Sequence, residues 1–253
     1  MCEGVFRRGV VVEGEGTAVM DGLLPAEVRV VEVFHDPPGL PLLGAEAEQV
    51  RRAVDKRRRE YTTVRWCARR ALAGLGVGPV PIPRGERGAP QWPDRIVGSM
   101  THCQGYRAAA VARDTDLRAL GIDAEEHLPL PDGVLGLVAS EGERAHLAEL
   151  ARPRPDVHWD RLLFSAKESV YKAWFPLTRR WLGHEEAELA FAVDGTFTAR
   201  VLLRDPAVPA EGFTGRWAVD GVLAATVVTV PPTAPARGWT RSLRATRPGS
   251  RGV

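Results

Sequence analysis

The 253-residue chain has few cysteines and no long apolar segment. Cys2, Cys67 and Cys103 form no CxxC pair, so the sequence predicts neither a disulfide framework nor a thiolate zinc site, and a reducing compartment fits best. The longest apolar run, residues 222–230, is too short to span a bilayer, and the first residues lack the apolar core of a signal peptide. We therefore expect a cytoplasmic protein with no membrane partner.

Acidic residues are absent after Pro231, where the chain contains five arginines. Without those arginines the formal net charge of +2 would be negative, so the body of the protein is not basic overall. Nucleic-acid binding would therefore need a local basic patch. Residues 232–253 are interrupted by Pro and Gly and poor in apolar residues, which predicts a basic, disordered tail.

Length and composition permit one large domain or two of about 120 residues. In the first half, residues 27–34 read as a strand, and apolar residues recur at helical spacing over 46–75, as one helix or two. Residues 79–98 are rich in Pro and Gly and predict a long loop. Residues 106–113 and 117–123 predict a hairpin that turns at residues 114–116.

In the second half, Ser140 and Glu143 match a capping box that opens a short helix, and Asp156 could cap a longer helix ending at Thr178. Residues 187–230 predict strands joined at Asp-Gly turns, 194–195 and 220–221. A helix followed by antiparallel strands thus occurs twice, which favours an α+β fold.

Two small groups of charged residues are candidates for a metal site. Asp123 and Glu125 are two residues apart on a predicted strand, so both side chains project to one face. Glu168 and Lys172 are one helical turn apart on one face. Hard carboxylate oxygens suit Mg²⁺, which commonly shares its coordination sphere with substrate phosphates. Taken separately, the first pair is equally typical of a solvated turn, and the second of a surface ion pair.

The combination of these motifs resembles the paired signature of the Sfp-type 4′-phosphopantetheinyl transferases. The first motif is Gly121-Ile-Asp-Ala-Glu125, and the second, about 40 residues later, is Phe164-Ser-Ala-Lys-Glu-Ser-Val-Tyr-Lys172. Upstream, Gly98-Ser-Met-Thr-His-Cys-Gln-Gly-Tyr-Arg-Ala-Ala109, preceded by Trp92-Pro-Asp94, resembles the branch that includes the enterobactin-synthase transferase. The resemblance spans roughly residues 22 to 230.

The resemblance implies an α+β fold of two similar halves, each a small antiparallel sheet packed on helices, related by a pseudo-two-fold axis. It implies halves at residues 1–118 and 119–231, followed by the tail at 232–253. The implied activity is transfer of 4′-phosphopantetheine from coenzyme A to a serine of an apo acyl or peptidyl carrier protein, with release of 3′,5′-ADP. The implied enzyme is a monomer that uses Mg²⁺, or alternatively Mn²⁺, and binds no nucleic acid.

The resemblance also assigns site residues. Asp123, Glu125 and Glu168 would match the magnesium-binding acids. Three carboxylates beside a diphosphate independently favour a cation, because like charges near 4 Å cost ~4 kcal/mol per pair at an effective dielectric of 20. Glu168 would take the proton of the carrier serine, and Lys172 would stabilise the leaving phosphate.

Basic residues in both halves would bind the phosphates of coenzyme A. Arg57 and Arg65, which share a helical face, match family positions that hold the 3′-phosphate. The remaining matches are Arg84 at a basic position, Thr101 and His102 at a phosphate-contacting pair, and Lys167 and Lys172 in the anion pocket. Relatives often have Lys where this chain has Ala89, so the cation there would come from Arg84 or Arg87.

Three questions stay open at this point. A coenzyme A or nucleotide-binding module without turnover would keep the arginines but have no use for Glu168. A nucleic-acid-binding protein would use the basic helix at residues 51–59, and its binding would depend steeply on salt and survive EDTA. The loop at residues 127–138 is apolar for a connection, which suits either carrier docking or ordinary core packing.

Overall fold

The computed structural model describes residues 5–7, 10–13, 17–20 and 22–233, and of residues 5–7 and 10–13 only the backbone. The predicted tail at 232–253 lies almost entirely outside the described residues. The first five strands form one sheet in the order β1-β2-β3-β5-β4. These strands are β1 (Val5–Arg7), β2 (Val10–Glu13), β3 (Arg29–Val33), β4 (Ile96–Cys103) and β5 (Tyr106–Arg113).

The other five strands form a second sheet in the order β6-β10-β9-β8-β7. They are β6 (Ala119–Glu126), β7 (Ala187–Phe191), β8 (Thr196–Val201), β9 (Phe213–Val219) and β10 (Leu223–Val230). The predicted α+β class is confirmed, with one correction: β2 and β3 run parallel within an otherwise antiparallel first sheet. The domain boundary at residue 118 stays a prediction.

The predicted hairpin of residues 106–113 and 117–123 is wrong. Strand β5 pairs with β4 through the turn at Gln104 and Gly105, whereas β6 joins the second sheet and pairs with β10. Edge strands β4 and β6 nevertheless lie side by side, since the hydroxyls of Ser99 and Thr101 accept from the N–H groups of Ile122 and Ala124. These side chains replace part of the missing backbone ladder, and the two sheets meet at this seam.

Two long helices pack on the sheets. The helical stretch at 46–75 is two helices, α1 (Glu46–Gln49) and α2 (Asp55–Ala73). The second half contains α3 (Val134–Val138), α4 (Glu141–Ala151) and α5 (Trp159–Thr178). Helix α2 covers the first sheet and α5 the second, while a third apolar cluster fills the space between the sheets. None of the helices in the described part of the chain is long and apolar enough to cross a membrane.

Local signals gave mixed results. The Ser140 and Glu143 capping box is present at the start of α4, and both Asp-Gly hairpin turns are confirmed. Asp156 does not cap α5; its carboxylate accepts from Arg154, and the N-cap residue is His158. The loop predicted at 79–98 ends at residue 95, because Ile96 begins β4.

Gly121 lets α5 approach β6 with no side chain between the two backbones. A Cβ built at Gly121 would lie 1.9 Å from the carbonyl oxygen of Ser169. We therefore expect Gly121→Ala to lower the free energy of unfolding by about 2–3 kcal/mol through overpacking. Urea denaturation checks this, with Gly136→Ala as control, since a Cβ at Gly136 meets nothing within 4 Å. Equal stability of the two variants would show that the helix shifts at no cost.

Candidate active site

One cavity of about 680 Å³ lies between α2, the loop that follows it and α5. Six of the residues predicted from the sequence line it: Arg57, Arg65, Arg84, His102, Glu168 and Lys172. They come from α2, the 79–95 loop, β4 and α5. The tertiary structure thus brings basic residues of the first half beside an acid and a lysine of the second.

The basic end of the cavity is built around Tyr61. The guanidinium carbon of Arg65 lies 3.6 Å from the centre of the Tyr61 ring, and that of Arg84 lies 4.9 Å from it. Burial lowers the pKa of Arg65 to about 10 and also lowers that of Arg84, with a further contribution from Arg57. The Nη2 atom of Arg84 is buried without a hydrogen-bond partner. Cations that repel one another around an unpaired donor favour binding of an anion.

Polar contacts from α1 hold the Arg84 loop in place. Gln49 bonds in both directions, since its Oε1 accepts from the Arg84 N–H at 2.7 Å and its Nε2 donates to the Arg84 carbonyl at 3.0 Å. The Glu46 carboxylate is fully buried and accepts from Arg69 and from the Ile82 N–H. Arg87, the alternative to Arg84, also lines the cavity, but its guanidinium lies over the Trp181 ring, 5.6 Å from the ring centre.

His102 faces the same basic cluster. Its Nε2 atom lies 2.6 Å from Nη1 of Arg57, and its Nδ1 atom lies 4.0 Å from Glu60. Burial, and next the charge of Arg57, lower the pKa of His102 from 6.5 to about 4. The imidazole is therefore neutral at physiological pH, and its Nε2 can accept from the Arg57 guanidinium.

The low pKa of His102 predicts a pH dependence of stability. Between pH 6.5 and about 4, the unfolded chain binds a proton that the folded protein does not, so the free energy of unfolding falls as pH falls through this window. For a fully buried side chain this pKa shift would change the free energy of unfolding by about 3 kcal/mol. The His102 side chain is 35% exposed, and solvent screening reduces the change to about 1 kcal/mol. Urea denaturation near pH 7 and near pH 4.5 should show that the free energy of unfolding falls less in His102→Gln than in the native protein. Identical slopes would contradict the assignment.

Asp123 lies at the seam between the sheets. Its Oδ1 atom accepts from Lys172 Nζ at 2.7 Å and from the Thr101 hydroxyl at 3.1 Å. The Lys172 ammonium also donates to the carbonyl of Ile122 at 3.0 Å. The Oδ2 atom is buried without a hydrogen-bond partner, and the whole residue is only 4% exposed. One carboxylate oxygen is thus fixed in place and the other is left for a further ligand.

Glu125 and Glu168 complete the acidic group. Arg161 Nη1 lies 3.3 Å from Glu125 Oε2. Burial, and next the charge of Asp123, raise the pKa of Glu125 to about 7. Burial also raises the pKa of Glu168, with Asp123 contributing in the same direction and Lys172 opposing it. The charge of Asp123 thus acts on both glutamates, and burial makes Glu125 and Glu168 harder to ionise than free carboxyl groups.

The acids fit a divalent metal by chemistry more than by their present arrangement. Carboxylate oxygens are the ligands that Mg²⁺ prefers, and Asp123 Oδ2 is a buried acceptor without a partner. Within the part of the chain that the structure describes, no three His, Cys, Asp or Glu side chains converge as a metal-binding group. Lys172 and Arg161 instead provide positive charge to Asp123 and Glu125.

Two of the predicted phosphate ligands lie away from the cavity, and a third is paired with an acid. Lys167 does not line the cavity: its ammonium is buried and donates to Glu143 at 2.9 Å and to the His184 carbonyl at 2.7 Å. The Thr101 hydroxyl is bonded to Asp123 and the Ala124 N–H and likewise does not line the cavity. Lys172 does line it, but its ammonium is paired with Asp123 and not with Glu168.

Arg161 is a site residue that sequence reasoning missed. Besides contacting Glu125, its guanidinium donates to the carbonyls of Leu128 and Pro129, at 3.0 and 2.9 Å. It lies seven residues before Glu168, two turns earlier on the same face of α5, so helical spacing could have indicated it. Tyr171, whose buried hydroxyl has no hydrogen-bond partner, also lines the cavity and was not predicted.

Comparison with known proteins agrees with this arrangement. Residues 45–112 match the model of the 4′-phosphopantetheinyl transferase N-terminal domain, and residues 119–227 match the 4′-phosphopantetheinyl transferase superfamily. The chain belongs to the 4′-phosphopantetheinyl transferase family. It is a transferase that moves phosphopantetheine from coenzyme A to carrier proteins.

Three named relatives show how far the similarity extends. The chain is 58% identical over 202 residues to 4′-phosphopantetheinyl transferase Svp of Streptomyces mobaraensis, covering 77% of this chain and 82% of the relative. It is 48% identical over 215 residues to 4′-phosphopantetheinyl transferase PptT of Mycobacterium tuberculosis, which covers 80% of this chain and 93% of the relative. Enterobactin synthase component D of Salmonella typhimurium is 34% identical over 142 residues, which covers 55% of this chain and 56% of the relative. The family resemblance seen in the motifs is confirmed.

Proposed function

We propose that the cavity binds coenzyme A. Its 3′-phosphate would lie at the basic end, and its diphosphate beside Asp123, Glu125 and Glu168. The observation that carries the proposal is the composition of this one cavity, whose lining includes Arg57, Arg65, Arg84 and His102 together with Glu168 and Lys172. A ligand that carries both a terminal phosphate and a diphosphate matches that distribution of charge.

The arginines would hold the terminal phosphate. Arg57, Arg65 and Arg84 repel one another in the free protein, and a phosphate between them would offset that repulsion. Neutral His102 would orient the Arg57 guanidinium through their 2.6 Å contact. Thr101 is assigned a different role from the one predicted, since its hydroxyl supports Asp123.

In the transfer step, the carrier serine oxygen attacks the β-phosphorus of coenzyme A, the bond from that phosphorus to the bridging oxygen breaks, and 3′,5′-ADP leaves. Glu168 would accept the serine proton, a role that its raised pKa favours because the carboxylate is then a stronger base. Lys172 would offset charge on the leaving phosphate. The protein needs no nucleophile of its own.

Asp123, Glu125 and Glu168 would hold Mg²⁺, or alternatively Mn²⁺. When bound, the ion supplies positive charge that binds the diphosphate and stabilises charge on the leaving group. Asp123 offers its unpaired buried oxygen, and Lys172 and Arg161 would share their partners with the ion or release them.

The test is to incubate the protein with an apo carrier, coenzyme A and Mg²⁺, and to weigh the carrier by mass spectrometry. The expected result is a mass gain of one phosphopantetheine that EDTA prevents. No gain with acyl and peptidyl carriers alike would contradict the activity, and a gain that persists in EDTA would contradict the metal. Binding to DNA that falls with salt and persists in EDTA would instead favour the nucleic-acid alternative.

The carrier is proposed to be of acyl or peptidyl type and the enzyme to be a cytoplasmic monomer. The segment at 127–138, predicted as a loop, ends in the short helix α3, and its exposure supports a docking role in part. Leu128 and Leu137 are 55% and 81% exposed, whereas Leu130 and Val138 are buried and belong to the core. Arg161 joins this loop to Glu125 by contacts to both.

A further inference from the structure

Three hydroxyl side chains lie buried between α5 and β10, close to the acids. They are Ser165, Ser169 and Thr226, each 0% exposed. Oγ1 of Thr226 lies 2.9 Å from Oγ of Ser165 and 2.7 Å from Oγ of Ser169, and Ser169 also donates to the Thr226 carbonyl. We name these three residues the hydroxyl cluster. The proposed chemistry uses none of them.

The hydroxyl cluster joins α5, which carries Glu168 and Lys172, to β10, the strand beside the one that carries Asp123. Thr226 is the register partner of Asp123 on the neighbouring strand, so both side chains project to the face of the sheet that α5 covers. On α5, Ser169 directly follows Glu168 and lies three residues before Lys172. The cluster therefore links the part of the sheet beside Asp123 to the helical turns of α5 that carry Glu168 and Lys172.

The helix and the sheet are in backbone contact at this level. The missing side chain of Gly121, two residues before Asp123, allows the Ser169 carbonyl to approach β6. Apolar contacts have no preferred direction, so they hold a helix on a sheet without fixing its position along the axis. Hydrogen bonds weaken steeply with distance and angle and do fix that position.

Polar groups here would otherwise be unfavourable. The residues of α5 next to the cluster, Ala166, Val170 and Ala173, are fully buried and apolar. A buried hydroxyl costs free energy unless it is hydrogen-bonded, and replacing a hydroxyl and its partners together by apolar groups of the same shape is often nearly neutral. The hydroxyls thus serve position more than stability.

We infer that Thr226 and Ser169 are positioning residues that set the spacing between Asp123 on β6 and Glu168 and Lys172 on α5. The inference rests on the proposed roles of those three residues. A displacement of about 1 Å in a catalytic arrangement can reduce turnover by up to about 100-fold. The hydroxyl cluster would prevent such a displacement.

The test uses Thr226→Val, which removes the hydroxyl and keeps the shape. We expect kcat to fall about tenfold while KM for coenzyme A changes less than about twofold, because the arginine end of the cavity is untouched. Thr226→Ser, which restores the hydroxyl, should recover most of the loss. Thr229→Val is the matched control, since Thr229 lies on the same strand with its side chain on the opposite face.

A second measurement needs neither carrier nor turnover. Binding of Mn²⁺ in the presence of coenzyme A, followed by electron paramagnetic resonance, should weaken several-fold in Thr226→Val and not in Thr229→Val. If Thr226→Val does not fold, Ser169→Ala takes its place. A lower melting temperature with native kcat and native Mn²⁺ affinity would overturn the positioning role. If the unmodified enzyme fails to modify any carrier, the proposed function fails, and the Mn²⁺ measurement still decides this inference.

Discussion

Asp123→Asn is expected to lower kcat about 10³-fold at saturating coenzyme A and Mg²⁺. The substitution keeps an oxygen that can accept from Thr101 and Lys172, so the local geometry should survive. It replaces the buried, unpaired Oδ2 by an NH₂ group, which cannot bind a cation, or by a neutral oxygen, which lacks the charge of a carboxylate. Carrier mass spectrometry under steady-state conditions measures the loss.

Asp116→Asn serves as the control, because Asp116 is exposed in the turn between β5 and β6 and does not line the cavity. Melting temperatures of both variants separate lost turnover from lost folding. Turnover of Asp123→Asn within about tenfold of native would contradict the metal role. Recovery of most of the turnover in excess Mn²⁺ would support that role, since the defect of the variant would then lie in its metal affinity.

Arg84→Gln is expected to weaken coenzyme A binding about 30-fold, as the loss of one charge-assisted hydrogen bond of about 2 kcal/mol implies. The Nη2 atom of Arg84 is buried without a partner in the free protein, so a phosphate oxygen would satisfy a donor that now has none. Burial lowers the pKa of Arg84, and the charge of Arg57 adds to this effect. Titration calorimetry measures the affinity directly.

The matched control is Arg59→Gln, an exposed arginine on the helix that carries Arg57 and Arg65. A purely electrostatic effect of the basic helix would weaken binding equally in both variants. Dephospho-coenzyme A, which lacks the 3′-phosphate, gives a second comparison. If Arg84 holds that phosphate together with Arg57 and Arg65, Arg84→Gln should show a smaller preference for coenzyme A over dephospho-coenzyme A than the native protein, and an unchanged preference would contradict the assignment.

Local patterns predicted much of the secondary structure but not how the strands pair. The capping box at Ser140 and the Asp-Gly turns are decided by neighbouring residues, and both were found. The hairpin of β5 and β6 was wrong because the partner of β6 is β10, about a hundred residues later. Competition between a near and a distant partner depends on burial of both faces, which local sequence does not contain.

The site shows the same division. Helical spacing put Arg57 and Arg65 on one face, and both line the cavity. Lys167 and Lys172 are five residues apart, about 140° around a helix, so they could not both face one cavity. Spacing gave no means of choosing between them. Packing of α5 against α4 and β6 turned Lys167 toward Glu143 and Lys172 toward Asp123.

The sequence by itself determined the residue types and spacings that indicate a phosphopantetheinyl transferase: two acids on one strand face, a third on a helix, and arginines at helical intervals. Only the tertiary structure decided that the arginines and Glu168 share one cavity, that Thr101 supports Asp123, and that hydroxyls join α5 to β10. The reason is physical. Spacing fixes direction within one element, whereas distances between elements follow from burial of all their faces together.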